Sequence, residues 1–319
     1  MIELIRAQRK SAVLTRSSLG CLAGVATVNL TAGCAHGCLY CYARGYSIYP
    51  GDGKVRLYAN TARKLRDELR RRRKPRAVYF SSASDLFQPV PEILDLAYEV
   101  LELLVQSGAH LAFLTKGRIP RRHMELLTSH APLVRAQIGL TTLNERVLRA
   151  FEPCAAPAEG RLAQAEELLS RGIPTQVRLD PILPGLTDDR RSLDALCSVL
   201  AEIGIRRIAA GVLFLRPVVT RSLRWRLRDR EMLRRLTQEF ARGSRLGIYA
   251  GRSAVTALPA QRRRELFSRL QRIANRHGIE AHICACKNPD IAAGCCHIAG
   301  RPLTPTANWR QLVLFDRHS

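Results

Sequence analysis

From residue 25 to residue 242, short apolar runs alternate with longer amphipathic stretches, and this alternation constrains the fold more than any other feature. The apolar runs are too short for helices. They predict strands at Val25–Leu30, Ala77–Ser81, Ala109–Thr115, Ala136–Leu140, Thr175–Leu179 and Ile208–Phe214. The stretches between them carry helical periodicity at Ala59–Arg73, Glu92–Ser107, Arg121–Ser129, Glu159–Arg171, Arg190–Ile203 and Arg226–Arg242. Gly108, Gly172 and Gly204 stand where helix-ending glycines are expected. Strand–helix repetition of this kind builds a parallel sheet covered by helices. The expected fold is therefore α/β, a partial (β/α)6 barrel of the TIM type with a C-terminal Arg- and Cys-rich extension. The expected division is an N-terminal extension at 1–20, a barrel core at 21–215 and the extension at 216–319.

Barrels of this type carry their chemistry in the loops after the strands. The chemically loaded residues fall there: Cys34 after the first strand, Asp85 after the second, Lys116 after the third, Thr141 after the fourth and Asp180 after the fifth. Beyond Leu215 the pattern changes to Arg-rich helical stretches at Arg221–Arg235 and Gln261–Arg276. A short run, Ile279–Cys284, then leads into a cysteine-rich tail, and Asn308–Ser319 reads as an edge strand or a loose end.

The run Gly33-Cys34-Ala35-His36-Gly37-Cys38-Leu39-Tyr40-Cys41 sets three thiols in a tight, glycine-bearing loop. Thiolates are the usual protein ligands of iron–sulfur clusters. Three of them would hold a four-iron cluster and leave one iron open to bind and reduce a cofactor. The alternative is zinc, with His36 as fourth ligand, although structural zinc usually shows paired CxxC units. No run of eighteen apolar residues and no secretory leader is evident, so a cytosolic chain with no membrane partner is expected. Ten cysteines in such a compartment point to metal or redox chemistry rather than disulfides.

The CxxxCxxC spacing after a first strand, with Tyr40 before the third cysteine, resembles the signature of the radical S-adenosylmethionine (SAM) superfamily. The wider string GCxHxCxYCY is similar to the branch containing spore photoproduct lyase and the proteins loosely labelled DNA repair photolyases. The resemblance runs from about Val28 to Pro184. It implies a [4Fe-4S] cluster on Cys34, Cys38 and Cys41, SAM as cofactor, and an electron donor such as flavodoxin or ferredoxin. It also implies that Tyr40 lies against the adenine.

SAM presents an ammonium, a carboxylate, a ribose and an adenine. The run Ser81-Ser82-Ala83-Ser84-Asp85 resembles the family's cofactor-amino motif, with Ser84 and Asp85 as acceptors for the ammonium. An Asx turn before a helix explains the same aspartate without a ligand. Lys116 matches a family lysine that would meet the carboxylate; the plain reading is a solvated lysine. Relatives often carry a ribose-binding serine where Gly139 stands, which leaves Thr141 as the candidate there. Arg178 and Asp180 face the pocket or form a structural pair, and Glu152-Pro153 with Arg161 recurs in relatives as either a pair or a site. Spore photoproduct lyase uses a hydrogen-donor cysteine just before this motif. Ser82 stands at the aligned place, and its O–H bond is too strong for that role, which argues against spore photoproduct as substrate.

In the tail, Cys284 and Cys286 precede Cys295 and Cys296, a set that would hold a second iron–sulfur cluster or zinc, or else packs as small apolar groups. Cys21, Cys154 and Cys197 read as packing residues. Lys and Arg total 51 against 27 Asp and Glu, a formal charge of +24. That excess suggests a polyanion, nucleic acid first and an anionic membrane surface second, although an Arg-favouring genome explains it as well. Arg-rich runs at Lys64–Arg76 and Arg221–Arg235, the latter with Trp225, would track a phosphate backbone. The resulting expectation is a radical enzyme whose substrate is a nucleic acid, or else a small metabolite or peptide. The rival of another class is a metal-containing nucleic-acid-binding protein without turnover.

Overall fold

The structure is a computed structural model that describes residues 2–16, 22, 25–71, 74–80, 82–248 and 253–293. Along the chain, β1 (Glu3–Ala7), β2 (Thr15–Arg16), β3 (Ala26–Val28), β4 (Thr31–Ala32) and β5 (Lys54–Tyr58) precede α1 (Thr61–Arg71). Then come β6 (Ala77–Phe80), α2 (Pro91–Gln106), β7 (His110–Thr115), α3 (Arg121–Ser129), β8 (Val134–Gly139), α4 (Glu145–Phe151) and α5 (Ala158–Ser170). After them lie β9 (Thr175–Ile182), α6 (Arg190–Glu202), β10 (Arg207–Val212), α7 (Pro217–Arg226) and α8 (Arg230–Glu239). The chain continues through β11 (Ser244–Ile248), β12 (Ser253–Ala257), α9 (Ala260–Arg276) and β13 (Glu280–Ile283).

The main sheet runs β13-β10-β9-β8-β7-β6-β3-β2. From β3 to β10 each strand lies parallel to the one before it, as consecutive βα units require. The expected α/β barrel-type fold is thus observed, as an open sheet. The strands are near-continuous buried runs, because helices cover a parallel sheet. On α2, Ile93, Leu96, Ala97, Val100, Leu101 and Leu104 are buried at helical spacing, and Pro91 opens the first turn.

Several elements differ from expectation. The stretch Arg226–Arg242 is not one helix, because Asp229 starts a new one by accepting the Met232 amide at 3.0 Å. β9 runs on to Ile182, so Asp180 belongs to the strand and not to the loop after it. β1 and β5 pair in parallel, with β4 on the other side of β5, and carry the N-terminal segment onto the cysteine loop. β13 joins the main sheet beside β10, so the segment after 215 contributes a strand to the core sheet. Cys197 is buried as expected, whereas Cys154 is exposed and does not pack. Cys21, Cys295, Cys296 and the segment 308–319 lie outside the described residues. Among the described residues, no helix is long and apolar enough to cross a membrane.

Candidate active site

The cysteine loop leaves β4 through Gly33, whose φ of 79° suits glycine. A Cβ there would lie 2.8 Å from the Lys54 carbonyl of β5. Backbone contacts hold the rest of the loop. Ala35 donates to Gln88 Oε1 at 2.7 Å and Leu39 to the Phe151 carbonyl at 2.9 Å. Arg44 donates to the Gly37 and Cys38 carbonyls, each at 3.2 Å. None of these contacts uses a thiol; the Cys34 sulfur takes the His36 backbone N–H and the Cys41 sulfur those of Ala43 and Arg44.

Cys34, Cys38 and Cys41 line one cavity of about 480 Å³ together with Tyr40, Ser84, Asp85, Lys116, Arg178 and Cys284. Loops separated by up to 250 residues, from Cys34 to Cys284, thus meet at the C-terminal ends of the strands, in the size range of small-ligand sites. Burial pushes all three thiols up, Cys34 and Cys38 strongly. His36 does not complete a zinc site. Its Nδ1 donates to the Cys154 carbonyl at 3.0 Å, and its Nε2 faces Asp85 at 3.2 Å. Among the described residues no three His, Cys, Asp or Glu side chains converge on one metal ion. The donor set is three thiols in front of open space, which fits a cluster with three protein ligands.

Asp85 is buried, and protein groups fill its acceptor sites. Oδ1 accepts from the Phe87 amide and Thr115 Oγ1, both at 2.8 Å, and Oδ2 accepts from the Lys116 amide at 2.8 Å. His36 occupies the remaining side of Oδ2. Burial alone would raise its pKa, but His36 and these hydrogen bonds hold it below the usual carboxylate value. Asp85 therefore ties the cysteine loop to the loop after β7. Its neighbour Ser84 has a buried Oγ without a hydrogen-bond partner among the described residues.

Lys116 reaches across the cavity floor. Its Nζ donates to Tyr40 Oη and Glu152 Oε1, each at 2.8 Å. Glu152 also takes hydrogen bonds from Tyr40 Oη and from Thr141 Oγ1, the latter at 3.1 Å, and Arg161 Nη2 lies 2.6 Å from its Oε2. Burial would raise the Glu152 pKa, yet Lys116 and Arg161 hold it at about 2. Burial and Glu152 push the Tyr40 phenol well up. The Glu152–Arg161 relation is thus a buried pair. Thr141 is buried against Glu152 and does not line the cavity.

Gly139 explains the missing serine. A Cβ at 139 would lie 2.8 Å from Lys116 Cγ and 3.2 Å from its Cε. Gly139→Ser is therefore expected to push Lys116 off Glu152 and lower stability by about 1–3 kcal/mol. Thermal unfolding of the two proteins measures this, and an unchanged midpoint would show that Lys116 has room to move.

Across the cavity, Arg178 and Lys287 both contact Asp180, the arginine at 2.9 Å, and hold its carboxyl far down against the cost of burial. A Cβ at Gly211 would sit 2.9 Å from Asp180 Oδ1, so glycine makes the carboxylate's place on β10. Cys286 packs behind Cys284 and does not line the cavity. Sequence reasoning missed Lys287 and Arg216 as cavity residues. Lys287 carried the same signal as Lys116, a lysine in an arginine-rich chain, but lies in a segment with no strand–loop pattern to place it.

Comparison with known proteins bears on this geometry. The family model of the radical SAM superfamily matches residues 28–197. The radical SAM Nα-GlyT isomerase of Pseudomonas phage M6 is 31% identical over 163 residues, which is 50% of this chain and 34% of the phage protein. An uncharacterised protein of Mycobacterium tuberculosis is 32% identical over 202 residues, covering 60% of this chain and 59% of that one. The chain thus spans from about a third to three fifths of the length of these relatives. A spore photoproduct lyase double mutant with bound AdoMet and dinucleoside spore photoproduct shares the fold. It has a TM-score of 0.64 at 16% identity and covers 88% of this chain and 81% of its own.

Proposed function

The chain belongs to the radical S-adenosylmethionine superfamily, and on that premise we propose that it binds a [4Fe-4S] cluster through Cys34, Cys38 and Cys41 and cleaves SAM to abstract a hydrogen from a nucleic-acid substrate. The carrying observation is the cavity that gathers the three thiols, Ser84 Oγ and the cations Lys116, Arg178 and Lys287. A cluster held there supplies reductive cleavage of the sulfonium to a 5′-deoxyadenosyl radical.

The chain's own residues then divide the binding work. Lys116 has three N–H groups and gives two to Tyr40 and Glu152, so the third meets the SAM carboxylate. Lys116 and Arg161 share one carboxylate, which leaves a net positive charge beside it. Ser84 Oγ takes the ammonium, because the acceptor sites of Asp85 are filled. Tyr40, pinned by Glu152 and Lys116, offers its ring to the adenine. Arg178 completes the wall opposite. Thr141 acts through Glu152 and positions Lys116 and Tyr40 rather than touching cofactor. Nucleic acid as substrate is supported by the +24 charge, and a dinucleoside ligand in a structure of the same fold agrees with it.

The test is anaerobic reconstitution with iron and sulfide, followed by reduction in the presence of SAM. The expected result is a brown protein with about four irons per loop that releases 5′-deoxyadenosine. A reconstituted protein that stays colourless or releases none overturns the reading.

A further inference from the structure

A second groove opens beside the cavity. It is lined by Arg216, Arg221, Arg224, Trp225, Thr220 and Thr256 and has a volume of about 410 Å³. Helix α7 builds it. Val219, Ser222 and Leu223 are buried, which turns Pro217, Arg221, Arg224 and Trp225 to solvent on the opposite face. The buried face docks on the 3-10 turn Tyr42–Gly45 that follows the third cysteine, where Val218 packs 3.4 Å from the Cβ position of Gly45. The groove therefore lies next to the cysteine loop. Arg216 lines both the groove and the cavity, and its guanidinium stands 6.0 Å from the ring centre of Tyr42.

Two properties of this face suit a ligand. Trp225 is 84% exposed, far above Tyr42 at 40% and Tyr46 at 41%. A tryptophan normally gains by burying its ring. The arginines are also uncompensated: Arg226 pairs with Asp52 at 3.3 Å, whereas Arg216, Arg221 and Arg224 have no acidic partner among the described residues. An exposed indole between guanidinium groups matches a strand with anionic phosphates and unpaired bases. A duplex keeps its base faces stacked, and a lipid surface offers no flat ring.

We infer that the α7 groove binds single-stranded polynucleotide, with a base stacked on Trp225 and phosphates on Arg221 and Arg224, and that Arg216 leads the strand into the cavity. The inference rests on the proposed nucleic-acid substrate and adds where the strand lies.

The test uses the anaerobically reconstituted full chain with Trp309→Phe, which leaves Trp225 as the sole indole. Oligo(dT) and oligo(rU) are titrated over a range of salt while indole fluorescence is followed. Quenching is expected with at least one of them, and their ratio tells DNA from RNA. By fluorescence anisotropy of labelled oligonucleotide, Trp225→Ala is expected to weaken binding at least about fivefold, and Trp225→Phe to weaken it less. Arg221→Ala with Arg224→Ala is expected to flatten the salt slope by about 1.4, or about 0.7 for each lost phosphate contact. Arg63→Ala with Arg66→Ala, which removes two exposed charges on α1, serves as the control. The inference is overturned if that pair weakens binding equally, if no quenching occurs, or if phosphatidylserine vesicles quench Trp225 as strongly at the same salt. Release of 5′-deoxyadenosine by the unmodified chain is scored separately. Release without oligonucleotide binding sinks the groove alone, and binding without release sinks the radical chemistry alone.

Discussion

A Cys38→Ala protein is expected to fold normally, to hold little iron after anaerobic reconstitution, and to release 5′-deoxyadenosine more than about 10³-fold more slowly than the parent, a barrier increase above about 4 kcal/mol. Retention of the fold stems from the loop's construction. Gly37 and Cys38 are held through their carbonyls by Arg44, Leu39 through its amide by Phe151, and Ala35 by Gln88. The thiol contributes no contact to that scaffold. It faces the cavity, and burial keeps it protonated until a metal takes the proton's place. Far-ultraviolet circular dichroism, iron content and product release together check the prediction. A variant that keeps both its iron and its turnover would falsify the three-thiol site.

Removing Glu152 produces the second large effect, this time on stability. Its carboxylate sits at the centre of Lys116, Arg161, Tyr40 and Thr141, fully enclosed. Glu152→Ala leaves the buried Arg161 guanidinium with carbonyl partners only, Ala156 at 2.7 Å and Gly139 at 2.8 Å. Stranding a buried charge in this way costs about 3–5 kcal/mol. The pH dependence has a definite sign. The folded protein holds Glu152 at about 2, below its ordinary 4.5. Its contribution is therefore complete above about pH 4.5 and disappears as pH falls toward 2. Denaturant unfolding at neutral pH should show the full loss in Glu152→Ala. The gap between parent and variant should narrow as the medium is acidified from pH 4.5. A gap that is constant with pH would mean that the carboxylate does not carry the effect.

The strands from β6 to β10 were legible because each is a short apolar run followed by a helix. Elements without that contrast were not. β1 reads Glu3-Leu4-Ile5-Arg6-Ala7, and its partner β5 begins at Lys54, so nothing local joins them. α4 spans Glu145–Phe151 and is too short for periodicity to register. The break between α7 and α8 had a visible cue in Asp229, which the abundance of arginine on both sides obscured.

The site was legible in its ligands and less so in its polar framework. The cysteine spacing declares itself over eight residues. The hydrogen bond between Tyr40 and Glu152 joins residues 112 positions apart, and no local pattern encodes such a pairing. Asp85 stood out as a carboxylate in the right loop, but only the fold brings the Phe87 and Lys116 amides and Thr115 Oγ1 to its oxygens, with His36 Nε2 beside them at 3.2 Å. Gly139 shows a further limit. Sequence marked it as a lost serine, whereas space for Lys116 is a relation between two neighbouring strands.

The pairing of β13 with β10, together with the reach of Lys287 to Asp180, bears on how this molecule can be dissected. The segment that matches the family model stops at residue 197, before either strand begins. A fragment cut there would lack one wall of the cavity, and a fragment cut at 215 would bare the outer edge of β10 to other chains. Either cut leaves Asp180 with Arg178 as its remaining cation of the two. The unit that can be excised, swapped or fused as a working module therefore extends at least through residue 287, well past the stretch by which the chain is recognised.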